Sequence, residues 1–229
     1  MNYTNLNIDK ISEAIELLSL RIKDRFPEAG LLKVCSELKT LSEVSKENIA
    51  RVNKPYIFFR IAFYLLVVLA LSALIYTFSH ITSDPQLSSL ANLITVSEAL
   101  VSELAMIGAS FYFLYKLEDL VKQKSVLNSL HELRIIAHVI DMHQLTKDPT
   151  SILSEQTKHS PKRELTKNDL SRYLDYCAEM LSLTSKVAAN YANNNKDEVI
   201  LNTINDIEIL TSTLSGKIWQ KIELNKLLN

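Results

Sequence analysis

The densest set of side chains able to do chemistry lies in "HELRIIAHVIDMH", residues 131–143. His131, Arg134, His138 and Asp141 step by three, four and three, so a helix would carry all four on one face. Two imidazoles and a carboxylate on one face are the materials of a metal site or an acid–base pair. The spacing argues against both. His131 and His138 stand seven positions apart, whereas a helical zinc-protease motif needs its histidines at i and i+4. The interval from Arg134 to His138 is also shorter than in the helical HEPN ribonucleases. The set therefore reads as a polar, hydrogen-bonded seam; no catalytic residue, metal or cofactor is expected.

Two carboxylates occupy a stranger setting. Glu98 and Glu103 stand upstream of a clean apolar run in "TVSEALVSELAMIGASFYFLYK", residues 95–116. An ionised carboxylate at the centre of a bilayer costs about 2.5–3.5 kcal/mol on insertion scales. Tolerating one implies an interfacial depth, a bundle interior or a water-filled path. A span over 93–115 puts Glu103 near mid-depth; one over 99–117 leaves it about one turn deep, with Glu98 among the headgroups. Ala105, Gly108, Ala109 and Ser110 are small and would admit a second helix closely in lipid. These six residues form a candidate pore or span-packing set.

A third group is basic. "KHSPKRELTK" concentrates Lys158, Lys162, Arg163 and Lys167 in a polar stretch. The plain reading is a solvated, charged loop. The sharper one is a contact for an anionic partner, at about 1 kcal/mol per basic residue near an acidic membrane surface. No aromatic residue is interleaved to stack on bases, so direct contact with nucleic acid stays open. Trp219, the single tryptophan, is expected as an anchor between helices, with a partner-binding hot spot as the alternative. Cys35 and Cys177 fall on apolar positions of helical patterns and are expected to be buried and reduced.

Composition removes several function classes. With only three glycines, the 229-residue chain has no glycine-rich phosphate loop. A net charge of −1 creates no global field for or against nucleic acid. The first 50 residues are polar and amphipathic, unlike a secretory signal peptide. Residues 61–115 contain no Lys or Arg, although the chain carries 25.

The elements that must position these groups are all helical. Ile8, Ile11, Ile15, Leu18 and Ile22 form a narrow seam, and Leu31, Val34, Leu38 and Leu41 continue one that turns polar at Ser45 and Asn48. Pro27 is expected to open the second of these helices. Residues 56–78 hold one charge, Arg60, and at about 34 Å long would cross a hydrocarbon core of about 30 Å. Asp84 and Pro85 suit a helix start, and one long helix is expected from there to about His143, tolerating Gly108. A polar linker follows over 145–167, with Thr166 and Asp169 as a capping box. Leu170, Tyr173, Leu174, Cys177, Leu181 and Ala188 mark a further helix. Ile200, Ile204, Ile207, Leu210 or Thr211, Leu214 and Ile218 mark the last.

The expected fold is all-α: a two-span membrane helical hairpin whose long helices continue into a cytosolic helical bundle. Residues 1–54 would be N-terminal amphipathic helices, 55–116 the hairpin with spans about 56–78 and 95–116, and 117–229 a C-terminal bundle. Arg51, Lys54 and Arg60 precede the first span, and Lys116, Lys122 and Lys124 follow the second. The positive-inside rule then places both termini in the cytoplasm. The lipid bilayer and further copies of the chain are the expected partners.

This architecture, without a catalytic motif, resembles the two-transmembrane effectors of bacterial anti-phage systems. "LHELRIIAHVIDMHQLTKDP", "RYLDYCAEMLSLTSKVAANYA" and "GKIWQKI" are similar to the membrane effector encoded with retron reverse transcriptases. The likeness covers residues from about 55 onward. It implies an inner-membrane toxin, held inactive by a reverse transcriptase–nucleic acid complex and released on infection to permeabilise the membrane in abortive infection. It carries over no site residues. A membrane-anchored helical binding or scaffold module without pore activity is the alternative.

Overall fold

Asn7 starts the first helix by accepting the Asp9 N–H at 2.8 Å, which satisfies one of the donors a helix start leaves open. The computed structural model describes residues 5–83, 90–150, 158–160 and 165–228. Among these there are six α-helices and no strand: α1 (Ile8–Arg25), α2 (Gly30–Val52), α3 (Ile57–Ser83), α4 (Leu90–Leu145), α5 (Lys167–Asn190) and α6 (Glu198–Leu227). A 3₁₀ turn, Tyr191–Asn194, links the last two. The all-α expectation holds.

The chain divides into two compact units. One comprises residues up to Asn53 together with those from Ser125 onward; the other is Lys54–Lys124. Helix α4 contributes to both.

The first unit is a helical bundle. Ile11, Ile15, Leu18 and Ile22 of α1 are buried as their spacing requires. They meet Leu31, Val34 and Leu38 of α2, Leu130, Leu133, Ile136 and Ile140 of α4, and the apolar faces of α5 and α6. Each fully buried Leu or Ile contributes about 1.5–3 kcal/mol by leaving water. Helices α1 and α2 run antiparallel: Lys39 pairs with Glu16 at 3.2 Å, Ser12 and Ser42 hydroxyls lie 3.1 Å apart, and Lys46 pairs with Asp9. The seam of α2 turns polar as expected, with Ser42, Ser45 and Asn48 buried.

Helix α5 begins at the capping pair: the Asp169 N–H donates to Thr166 Oγ1 at 3.1 Å. The Thr166 hydroxyl also donates to the Asp169 carboxylate at 2.7 Å, so the shorter Asp side chain bonds the cap's hydroxyl. Helix α6 starts on Asp197, whose carboxylate accepts the Val199 and Ile200 N–H groups. Cys35 and Cys177 are buried and free, as expected.

Some boundaries differ from the sequence reading. Pro27 does not open α2; it sits in the turn before Ala29, and the helix starts at Gly30. Helix α3 continues to Ser83, beyond the expected end of the span. Asp84, Pro85 and most of 151–164 lie outside the described residues. Helix α4 is continuous for 56 residues, and Gly108 does not interrupt it.

The second unit has a different chemistry. Helix α3 is apolar on every side, so it has no polar face to turn to water. Phe58, Ile61, Leu65, Val68 and Leu69 are all exposed on it. Two helical stretches, one within α3 and one within α4, are long and apolar enough to cross a membrane.

Candidate functional site

In the second unit, α3 and α4 meet along one side of each helix. The Tyr56 N–H donates to Glu118 Oε1 at 3.1 Å, and the Phe63 and Phe111 rings lie 4.9 Å apart. These pairs run in opposite order along the two helices. Between them an open apolar groove is lined by Ala62, Leu66, Ser110 and Leu114. On α4 between Leu100 and Leu117 the half-buried positions are Leu100, Glu103, Ile107, Ser110, Phe111, Leu114 and Leu117. That is the three-and-four spacing of a contact seam.

Glu103 belongs to this seam, and Glu98 does not. At about 100° per residue the two carboxylates diverge by about 140° around the helix. Glu98 shares its exposed face with Ala105 and Ala109. Gly108 is also exposed, and a Cβ built on it would meet nothing within 4 Å. Of the four small residues, Ser110 alone lies on the α3 side, with its hydroxyl donating to the Met106 carbonyl at 2.8 Å. The small residues therefore split: one lines the groove, and three face outward.

One end of this unit carries a polar cluster that the sequence reading missed. Lys122 pairs with Glu118 at 2.8 Å and stands 5.6 Å from the Tyr56 ring centroid. Partial burial raises the Glu118 carboxyl. The hydrogen bonds from Lys122 and the Tyr56 N–H, with the charges of Lys122 and Arg60, outweigh that and hold it below its ordinary value. The i, i+4 spacing of Glu118 and Lys122 was visible in the sequence; the Tyr56 contact was not.

The expected polar seam on α4 is only partly drawn together. The buried stripe there runs through Leu133, Ile136, Ala137 and Ile140. His131 and His138 are exposed beside it. Arg134 reaches Asp206 on α6 at 3.4 Å, and Asp141 accepts from Gln144 Nε2 at 2.6 Å. Gln144 in turn accepts from Lys221 on α6 through both its carbonyl and its side chain. Burial holds the Lys221 amine below its ordinary value. Among the described residues no three His, Cys, Asp or Glu side chains gather as a metal would need.

Of the basic group, Lys158 and Lys167 are exposed. Lys167 Nζ donates to the Leu228 carbonyl at 2.6 Å, tying the start of α5 to the end of α6. Lys162 and Arg163 lie outside the described residues.

No family model, curated protein or solved structure matches the chain.

Trp219 corrects an expectation. It is 53% exposed and lines an open groove with Arg21, Glu179, Lys186 and Ser215. The buried stripe of α6 runs Ile207, Thr211, Leu214, Ile218, Ile222. Trp219 is one residue off that stripe, about 100° away. The spacing was legible in the sequence and outweighs the general tendency of tryptophan to be buried.

Proposed function

We propose that this protein is a toxin-like effector of the bacterial inner membrane, acting in anti-phage abortive infection. In this reading α3 and α4 form a hairpin across the bilayer, with both termini and the bundle in the cytoplasm. The hairpins of several copies associate and permeabilise the membrane once an inhibitory partner, such as a reverse transcriptase–nucleic acid complex, lets go. The observation that carries it is the division of α4 into two faces. Glu103 sits in the seam facing α3, while Ala105, Gly108 and Ala109 face outward, where a neighbouring copy could pack in lipid. The placement of Lys and Arg at one end of both apolar runs supports the orientation.

Expressing the chain alone while following membrane potential tests it. Depolarisation with growth arrest is expected. Normal potential and growth at high membrane levels would overturn the effector reading.

The exposed Trp219 groove favours a second reading, a membrane-tethered binding module. Exchanging residues 56–116 for an unrelated hairpin separates the two, because a tether would keep its activity.

A further inference from the structure

Helices α2 and α4 run antiparallel through the bundle, with Gly30 against His143 at one end and Asn48 against Ser129 at the other. Between them lies an open groove of about 630 Å³. Val34 and Ile136 form its buried floor, and Leu41 and Val139 beside them are half-buried. Val44 on one bank is 43% exposed, and Ile135 on the other is 49% exposed. The lining runs along α2 from Lys33 to Val44, roughly 16 Å or about three helical turns.

Carboxylates stand on both banks. Glu37 on α2 and Glu132 on α4 line opposite sides, and neither forms an ion pair among the described residues. Both are exposed. Glu47 continues the α2 bank about one turn beyond Val44, exposed and likewise without an ion pair among the described residues. Lys33 is the basic residue of the lining, and it stands at the Gly30 end. The Trp219 groove differs, because there Arg21 pairs with Glu179 and Arg172 with Asp175. A lone exposed carboxylate is ordinary. Carboxylates on both banks of an apolar floor favour a partner that is apolar on one face and cationic along its flanks.

We infer that this groove docks an amphipathic, basic helix of a partner protein. The apolar stripe of that helix, at i, i+3 or i+4 and i+7, lies on Val34, Leu41, Ile135 and Ile136. Its Lys or Arg side chains reach outward to Glu37 and Glu132 on either side. The inference concerns the bundle alone and stands whether or not the apolar helices pass ions.

The test uses the full chain in a non-ionic detergent, followed by fluorescence anisotropy. The probe is a labelled leucine–lysine peptide of about four helical turns with its leucines on one face. A scrambled peptide of the same composition and one with glutamate for lysine are the comparisons, and empty micelles give the background. The patterned basic peptide is expected to bind saturably, and the other two about tenfold more weakly. Glu37→Lys combined with Glu132→Lys should weaken the basic peptide about tenfold and strengthen the acidic one. Asp24→Lys combined with Glu208→Lys, at exposed positions of α1 and α6, changes net charge equally and should leave affinity within about twofold. Ile135→Ala should weaken binding about fivefold, with thermal melting confirming that each variant folds. No saturable binding at millimolar peptide, equal affinity for the scrambled peptide, or equal losses from the two charge-reversal pairs would overturn the site. A lower oligomeric fraction in the groove variants, with peptide binding unmoved, would assign the groove to a second copy and overturn the partner helix.

Discussion

Asn48 of α2 donates from Nδ2 to Ser129 Oγ of α4 at 2.7 Å, across 81 positions of chain. The same amide also donates to the Ser125 carbonyl at 3.1 Å, and its Oδ1 accepts from Ser125 Oγ at 2.9 Å. One side chain, 7% exposed, thus fixes the register of two helices at the polar end of the bundle seam. Asn48→Ala should cost about 1–3 kcal/mol, because it strands buried serine groups. Replacing Asn48 with Leu and both serines with Ala should return most of that stability, since no polar group is then left unpaired. Thermal unfolding of the single and triple variants reads the difference. Equal losses would show that packing, not hydrogen bonding, holds this end.

Gly30 and His143 form a second long-range dependence. A Gly→Ala change at an exposed helix start ordinarily stabilises by about 0.4–1 kcal/mol. Here the new Cβ would stand 2.7 Å from His143 Cε1, so the ring must swing away. Gly30→Ala should therefore be neutral or destabilising in the wild-type background. In a His143→Ala background it should become stabilising. A double-mutant cycle by urea unfolding measures the coupling.

The cysteines should be inert in the folded protein. Burial pushes the Cys35 thiol up to about 11 and the Cys177 thiol up to about 12. Thiolate, the reactive form, is therefore scarce at pH about 8, and a colourimetric disulfide reagent should label neither until denaturant is added. Both folded pKa values lie above the unfolded value of about 9, so the native state holds protons that the unfolded chain releases. Stability should be fully present below pH about 9 and fall as pH rises toward 11. Cys35→Ala should narrow the gap between unfolding midpoints measured at pH about 8 and about 10.

Glu103 and Glu98 should behave differently in a conductance assay. Glu103→Gln, in the seam, is expected to change ion passage severalfold while insertion is unaffected. Glu98→Gln, on the outward face, should leave passage within about twofold. Gly108→Leu should insert normally, because nothing within 4 Å opposes a side chain there, yet lower the oligomeric fraction in planar bilayers or nanodiscs. Identical effects at positions 98 and 103 would remove the special role of the seam.

Much of this architecture was legible in the sequence, for a local reason. Helical period and apolar spacing are properties of neighbouring residues. Ile11, Ile15, Leu18 and Ile22, and likewise Ile200, Ile204, Ile207, Leu214 and Ile218, therefore announced their buried faces directly. The Thr166–Asp169 cap and the burial of both cysteines follow from the same short-range pattern. So does the length of the two apolar helices, since bilayer thickness is counted in consecutive residues.

Tertiary structure decided which face meets which. Glu98 and Glu103 are the same residue type five positions apart, and only the packing of α3 against α4 puts one in the seam and the other outside. His143 over Gly30, Asn48 on Ser129 and Tyr173 beside Lys147 join residues that no periodic pattern links. Sequence spacing sets how a helix divides into faces; the partner each face buries is chosen by competition among all helices for contact. For that reason the chain alone determined its helices, its apolar stretches and its charge asymmetry. The polar contacts that hold the bundle in register came only with the fold.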